Sequence, residues 1–126
     1  MLITRKDRVE KPFETHTGER VYEMIGAPNH LGGATKHSFG HVVIPPNRMS
    51  RPHYHPYAEE TYYILKGKGM IVINDVKHDM LPGDAVFISP PEKHQIFTVG
   101  NEDLEFIVIS APPWEPTNSV YLDENK

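Results

Sequence analysis

The feature that most restricts how this chain can fold is its punctuation. Twelve prolines and nine glycines are spread through 126 residues, and no window of a dozen residues keeps a clean i, i+3, i+4, i+7 apolar pattern, which argues against a helical fold. What remains between the breaks are short β-branched or aromatic runs: "ERVYEMI", "SFGHVVI", "TYYIL", "MIVI", "DAVFI", "HQIFTV" and "LEFIVIS". Their spacing is that of an all-β sandwich or barrel. Each break has a mechanism. "NRMS" follows Pro45-Pro46, "KGKG" joins two strands, Asn74-Asp75 suits a tight hairpin, and Pro82-Gly83-Asp84 puts glycine where a turn needs a permissive backbone. Proline pairs at 45–46, 90–91 and 112–113 each follow an apolar β run, where a residue without an N–H ends ladder pairing.

The length suits one domain with a single core. No repeat or linker divides it, so we read 1–126 as one unit, with a polar arm over 1–20, a barrel core over 36–111 and a peripheral tail over 112–126. With 38% hydrophobic and 24% charged residues the composition is that of a soluble globular protein. A formal charge of -4 argues against a nucleic-acid partner, because backbone binding needs clustered Lys and Arg. Apolar stretches such as "EFIVISA" are too short to cross a bilayer, so no membrane partner is expected. The N-terminal residues have no apolar signal region, and with no cysteine the expected compartment is the cytoplasm. The lack of cysteine also excludes thiolate sites. Any metal must be held by imidazole, carboxylate or carbonyl groups, which suits Mn, Fe, Co, Ni, Cu or Zn.

The chemistry-bearing stretch is "RPHYHPYAEETYYILKGKG", Arg51 to Gly69. On an extended strand His53 and His55 project from one face, as two ligands of one ion must. Pro56 then interrupts the strand, and of the adjacent Glu59 and Glu60 only one can face the same ion. His94, opening a later strand, offers a third imidazole. Spacing alone leaves two readings open, a metal site or a polar strand with surface histidines.

Two segments in order resolve this by resemblance. His53-x-His55, four residues, Glu60, six residues, Gly67 is similar to the first cupin motif, and "GDAVFISPPEKHQIF" from Gly83 to Phe97 resembles the second. The likeness covers roughly residues 40 to 111. It implies a small antiparallel β-barrel of the double-stranded β-helix (jelly-roll) type, with His53, His55, Glu60 and His94 holding one divalent transition metal. Glu59 is then a solvent-facing or supporting carboxylate. Ser89, Pro91 and Thr98 depart from the second motif, which touches the loop before His94 and not the ligand set.

Around these, Arg51 shares the parity of His53 and His55 and is a candidate partner for a substrate carboxylate or phosphate; the alternative is a solvated rim arginine. Tyr62, in phase with Glu60, is a candidate acid or ligand-binding phenol, or else a core aromatic. His41, Ile96 and Thr98 are further pocket candidates, and His16, His30, His37 and His78 read as surface residues. The resemblance implies a small oxygenated ligand, a sugar or a carboxylate, and a homodimer, built from a sheet face and including an exchanged strand near "RVYEMI". The reaction stays open among isomerase, dioxygenase, decarboxylase and lyase chemistry, and a binding module whose metal only organises the barrel is the competing reading.

Overall fold

The computed structural model describes residues 1–26 and 31–123; His30 and the end of the tail lie outside them. Eleven strands run through the described residues: β1 (Phe13–Glu14), β2 (Arg20–Ile25), β3 (Ser38–Ile44), β4 (His53–Tyr54), β5 (Glu59–Lys66), β6 (Lys68–Ile73), β7 (Val76–Met80), β8 (Ala85–Ile88), β9 (His94–Val99), β10 (Leu104–Ala111) and β11 (Val120–Tyr121). The only helical turns among these residues are two short 3-10 pieces, Lys6–Arg8 and Pro116–Asn118. Every run read as a strand from its composition is one. β7, "VKHDM", carries no apolar alternation and is exposed at four of its five positions, so only its hairpin turn pointed to it.

The strands form two antiparallel sheets, in the order β1-β2-β3-β10-β5-β8 and β11-β4-β9-β6-β7. Strand alternation puts Val42 and Ile44 of β3, Tyr62 and Ile64 of β5, Ile71 of β6, Ile88 of β8, Ile96 of β9 and Leu104 and Phe106 of β10 between the sheets, all almost wholly buried. This is sheet-on-sheet packing with one shared core, and the fold is an all-β jelly roll.

Two turns show how local chemistry fixes the path. Asn74 and Asp75 both take positive φ, 48° and 70°, the twist a two-residue hairpin needs, and Ile73 faces Val76 across it. Gly67, at φ 79°, carries the chain from one sheet to the other between β5 and β6. A Cβ there would collide with the backbone carbonyl of Asp103, so no other residue fits without moving β10.

The end segments are less peripheral than their polarity suggests. β1 pairs with β2, and β2 pairs with β3 of the same chain. In the tail, β11 pairs with β4, setting Tyr121 opposite His53, and Leu122 N–H donates to the carbonyl of Pro52. Backbone hydrogen bonds that β4 would otherwise leave unmade hold the tail there.

Candidate metal centre

β4, β5 and β9 converge at one end of the core. His53 faces His94 directly across the β4-β9 pair, their rings 4.3 Å apart. His55 follows two residues on, with the same parity. The bend at Pro56 resets the count, and β5 then turns Glu60, Tyr62 and Ile64 inward while Glu59 stays exposed. The donor atoms of His53, His55, Glu60 and His94 all lie within 4.8 Å of one another, and all four residues are buried.

The hydrogen bonds around the imidazoles decide what this cluster suits. His53 Nδ1 donates to the Arg51 carbonyl at 2.7 Å, His94 Nδ1 to the Glu92 carbonyl at 2.9 Å, and His55 Nδ1 to the Asn118 carbonyl at 3.3 Å. A carbonyl can only accept, so the Nδ1 of His53 and of His94 bears the proton, while His55 Nδ1 also has the Ser119 hydroxyl at 3.2 Å; each ring turns Nε2 inward. His55 Nε2 is buried without a well-aligned hydrogen-bond partner among the described residues, 3.2 Å from one Glu60 oxygen, and His94 Nε2 is 3.2 Å from the other. At this distance each Nε2 shares a cation with the Glu60 carboxylate, a proton in the metal-free cluster or a metal ion in its place. Outer partners that lock the tautomer are what metal-binding histidines have. The donor set of three imidazoles and one carboxylate fits a divalent transition metal.

The protonation of these groups agrees. Burial, and next to it His94, depresses His53 to about 3, so it stays a neutral ligand at any ordinary pH. Burial alone would raise Glu60, but hydrogen bonding and charge from His55 and His94 override it and hold the carboxyl well below its usual range. Burial works against charge on His55 too, and there Glu60 prevails and raises its pKa.

A cavity of about 40 Å³ opens onto His53 and Glu60, room for about three waters at the ~10–15 Å³ each requires. Its walls are largely apolar, with Val42, Phe106, Val108 and Trp114 among them. Tyr62 also lines it and packs on Phe106, ring centroids 4.6 Å apart; burial, then the charges of Glu60 and Glu19, hold its phenol well above its usual pKa. The other candidates sit elsewhere. Arg51 pairs with Asp123, Nη2 to Oδ1 2.7 Å, and lies 3.7 Å over the Tyr121 ring, clamping β11 beside His53. His41 is on the outer face of β3, 2.8 Å from Glu105. Ile96 is wholly buried in the core, and Thr98 Oγ1 donates to the Ile44 carbonyl at 2.8 Å. None of these four lines the cavity. His37 and His78 are exposed, as is His16, which lies 3.6 Å from Asp123.

Residues 40–110 match the model of the Cupin domain. The chain belongs to the cupin family. An uncharacterized protein of Methanocaldococcus jannaschii is 31% identical to this cupin over 123 residues, 98% of this chain and 96% of that one. The oxalate-binding protein of Thermotoga maritima is 35% identical over 71 residues, 56% of this chain and 59% of the relative. Among solved structures, the formate complex of Lactobacillus farciminis oxalate decarboxylase superposes with a TM-score of 0.75 at 25% identity over 89% of this chain. This cupin spans only 33% of that enzyme.

Reasoning from the motifs missed Glu19 and Glu23, which line the cavity together with Val21 between them. Both belong to the "ERVYEMI" run, and their signal was parity: 19, 21 and 23 share a face. Sequence reading also missed the tail, which supplies Tyr121 and Trp114 to the cavity and the Asn118 carbonyl and Ser119 hydroxyl to His55.

Proposed function

We propose that this protein is a metal-dependent cupin that binds a small carboxylate in the cavity beside His53 and Glu60 and transforms it. The observation that carries this reading is the buried cluster of His53, His55, Glu60 and His94 opening onto a cavity of about 40 Å³. A two- or three-carbon acid suits that space better than a sugar phosphate. The names of the Thermotoga relative and the Lactobacillus enzyme point to the same ligand class. A divalent ion held by the four ligands supplies Lewis acidity toward a ligand oxygen. The chain's own residues do the rest: the apolar walls exclude bulk water, Tyr62 stays a neutral phenol beside Glu60, and Arg51 keeps Tyr121 over His53.

A binding protein without turnover is the second reading, favoured by the oxalate-binding relative. Calorimetric titration of the metal-loaded protein with oxalate, followed by assay for formate and carbon dioxide, separates the two. Binding with product supports the enzyme; binding without product supports the carrier; no binding to loaded protein overturns the carboxylate reading.

The same proposal includes a cytoplasmic homodimer. Tyr63, Leu65, Phe87 and Ile109 are each 41–55% exposed on the outer side of β5, β8 and β10. An apolar patch on a sheet with β8 at its edge fits association with a second copy.

A further inference from the structure

The inward face of β2, with the residue just before the strand, carries two carboxyls that the metal cluster does not use. Glu19, Val21 and Glu23 alternate along it, and all three line the cavity that His53 and Glu60 close at the other side. Glu23 is only 8% exposed, yet its Oε1 has no hydrogen-bond partner among the described residues. Burying an unpaired carboxyl oxygen is costly when the group is ionised, which favours the protonated acid.

The backbone opposite is shaped for that carboxyl. Glu23 sits across the β2-β3 pair from Gly40, and a Cβ on Gly40 would come 3.1 Å from Glu23 Oε1. A glycine in the interior of a strand weakens it and marks a close approach. Here what approaches is the Glu23 carboxyl. Glu23 also stands in the wall of an outer cleft of about 760 Å³ under the N-terminal arm, which shares Phe13, Val21 and Trp114 with the inner cavity.

We propose that Glu23 is the second anchor of the cavity, hydrogen-bonding one end of a small carboxylate whose other end lies against the His53 and Glu60 side. The inference rests on the carboxylate reading above and adds the residue that positions the ligand. An ionised Glu23 would repel such a ligand, so it must act as a neutral acid that donates. Its surroundings favour that form. The charged and titratable groups facing the cavity are Glu19 of the strand's own approach, Glu60 and Tyr62 from β5, His53 from β4 and Tyr121 from β11, while Arg8, Glu10 and Lys11 line the outer cleft. Burial first, and the charge of Glu60 second, push Glu23 up to about 8; the same two causes push Glu19 up to about 7.

The test uses the metal-loaded full chain, with oxalate as probe, in the wild type, E23Q and E23L. E23Q keeps an N–H donor and should bind oxalate within about threefold of wild type; E23L should bind about tenfold or more weakly, about 1.4 kcal/mol. Metal content should be equal in all three. Wild-type affinity should also fall as pH rises through about 8, and E23Q should lose that component. Equal binding by E23L, or the same pH profile in wild type and E23Q, overturns the role of Glu23. A loaded wild type that binds no oxalate overturns the carboxylate reading and the inference with it, so the two failures are told apart. Infrared difference spectra of metal-free wild type against E23Q give a readout independent of the ligand. A protonated-carboxyl band at neutral pH is expected, and its absence overturns the proposal.

Discussion

Glu60 takes both inward-facing Nε2 atoms of His55 and His94 on its two oxygens, which makes it the residue on which the cluster turns. E60Q should keep the fold and lose metal by more than the ~10–100-fold that disturbing an outer partner costs, as elemental analysis after dialysis against a defined metal buffer would show. G40A should crowd the Glu23 carboxyl by a few tenths of an ångström and weaken oxalate binding while metal content stays at the wild-type level. Stability of the metal-free protein should follow both buried groups. Glu23 gives up its proton near 4.5 when unfolded and near 8 when folded. The folded chain therefore binds more protons in that window, and stability falls as pH rises through it. His53 moves from 6.5 to about 3 and acts oppositely, costing stability as pH falls from about 6.5 toward 3. Calorimetry of metal-free E23Q should show a flatter decline on the alkaline side than wild type.

At the scale of elements, β11 is held over the site by backbone pairing to β4 and by the Arg51 clamp on Asp123 and Tyr121. R51A should lower stability by about 2 kcal/mol, the range of a charge-assisted hydrogen bond, with a lower melting temperature and metal still bound. The core strands were legible in the sequence because each is an apolar run bounded by residues with a turn mechanism. Glu60 could not be told from Glu59 by parity, since the bend at Pro56 resets the alternation; only the likeness to a family motif chose between them. β7 and β11 were hidden for another reason. Most of their residues gain order from a partner strand more than from burial, and a short or polar edge strand leaves no periodic signature. Arg51 illustrates the same limit. Its parity pointed toward the histidines, but its guanidinium follows a carboxylate 72 residues away, which no local pattern announces.

For the whole molecule, a polar cluster at one end of an apolar core divides the labour between folding and chemistry. Phe106, wholly buried, touches both through Tyr62, and F106A should cost about 3–5 kcal/mol in chemical denaturation. On the outside, F87E should turn a dimer into a monomer in light scattering without changing metal content; a wild type that is already monomeric contradicts the homodimer. No helix among the described residues is long and apolar enough to cross a membrane.

The most direct measurement is elemental analysis of the protein purified without chelator, beside H94A prepared in the same way. One divalent transition metal ion per folded wild-type chain is expected, with a near-empty H94A that remains folded. A folded wild type carrying no stoichiometric metal, and taking none up when it is supplied, would contradict that.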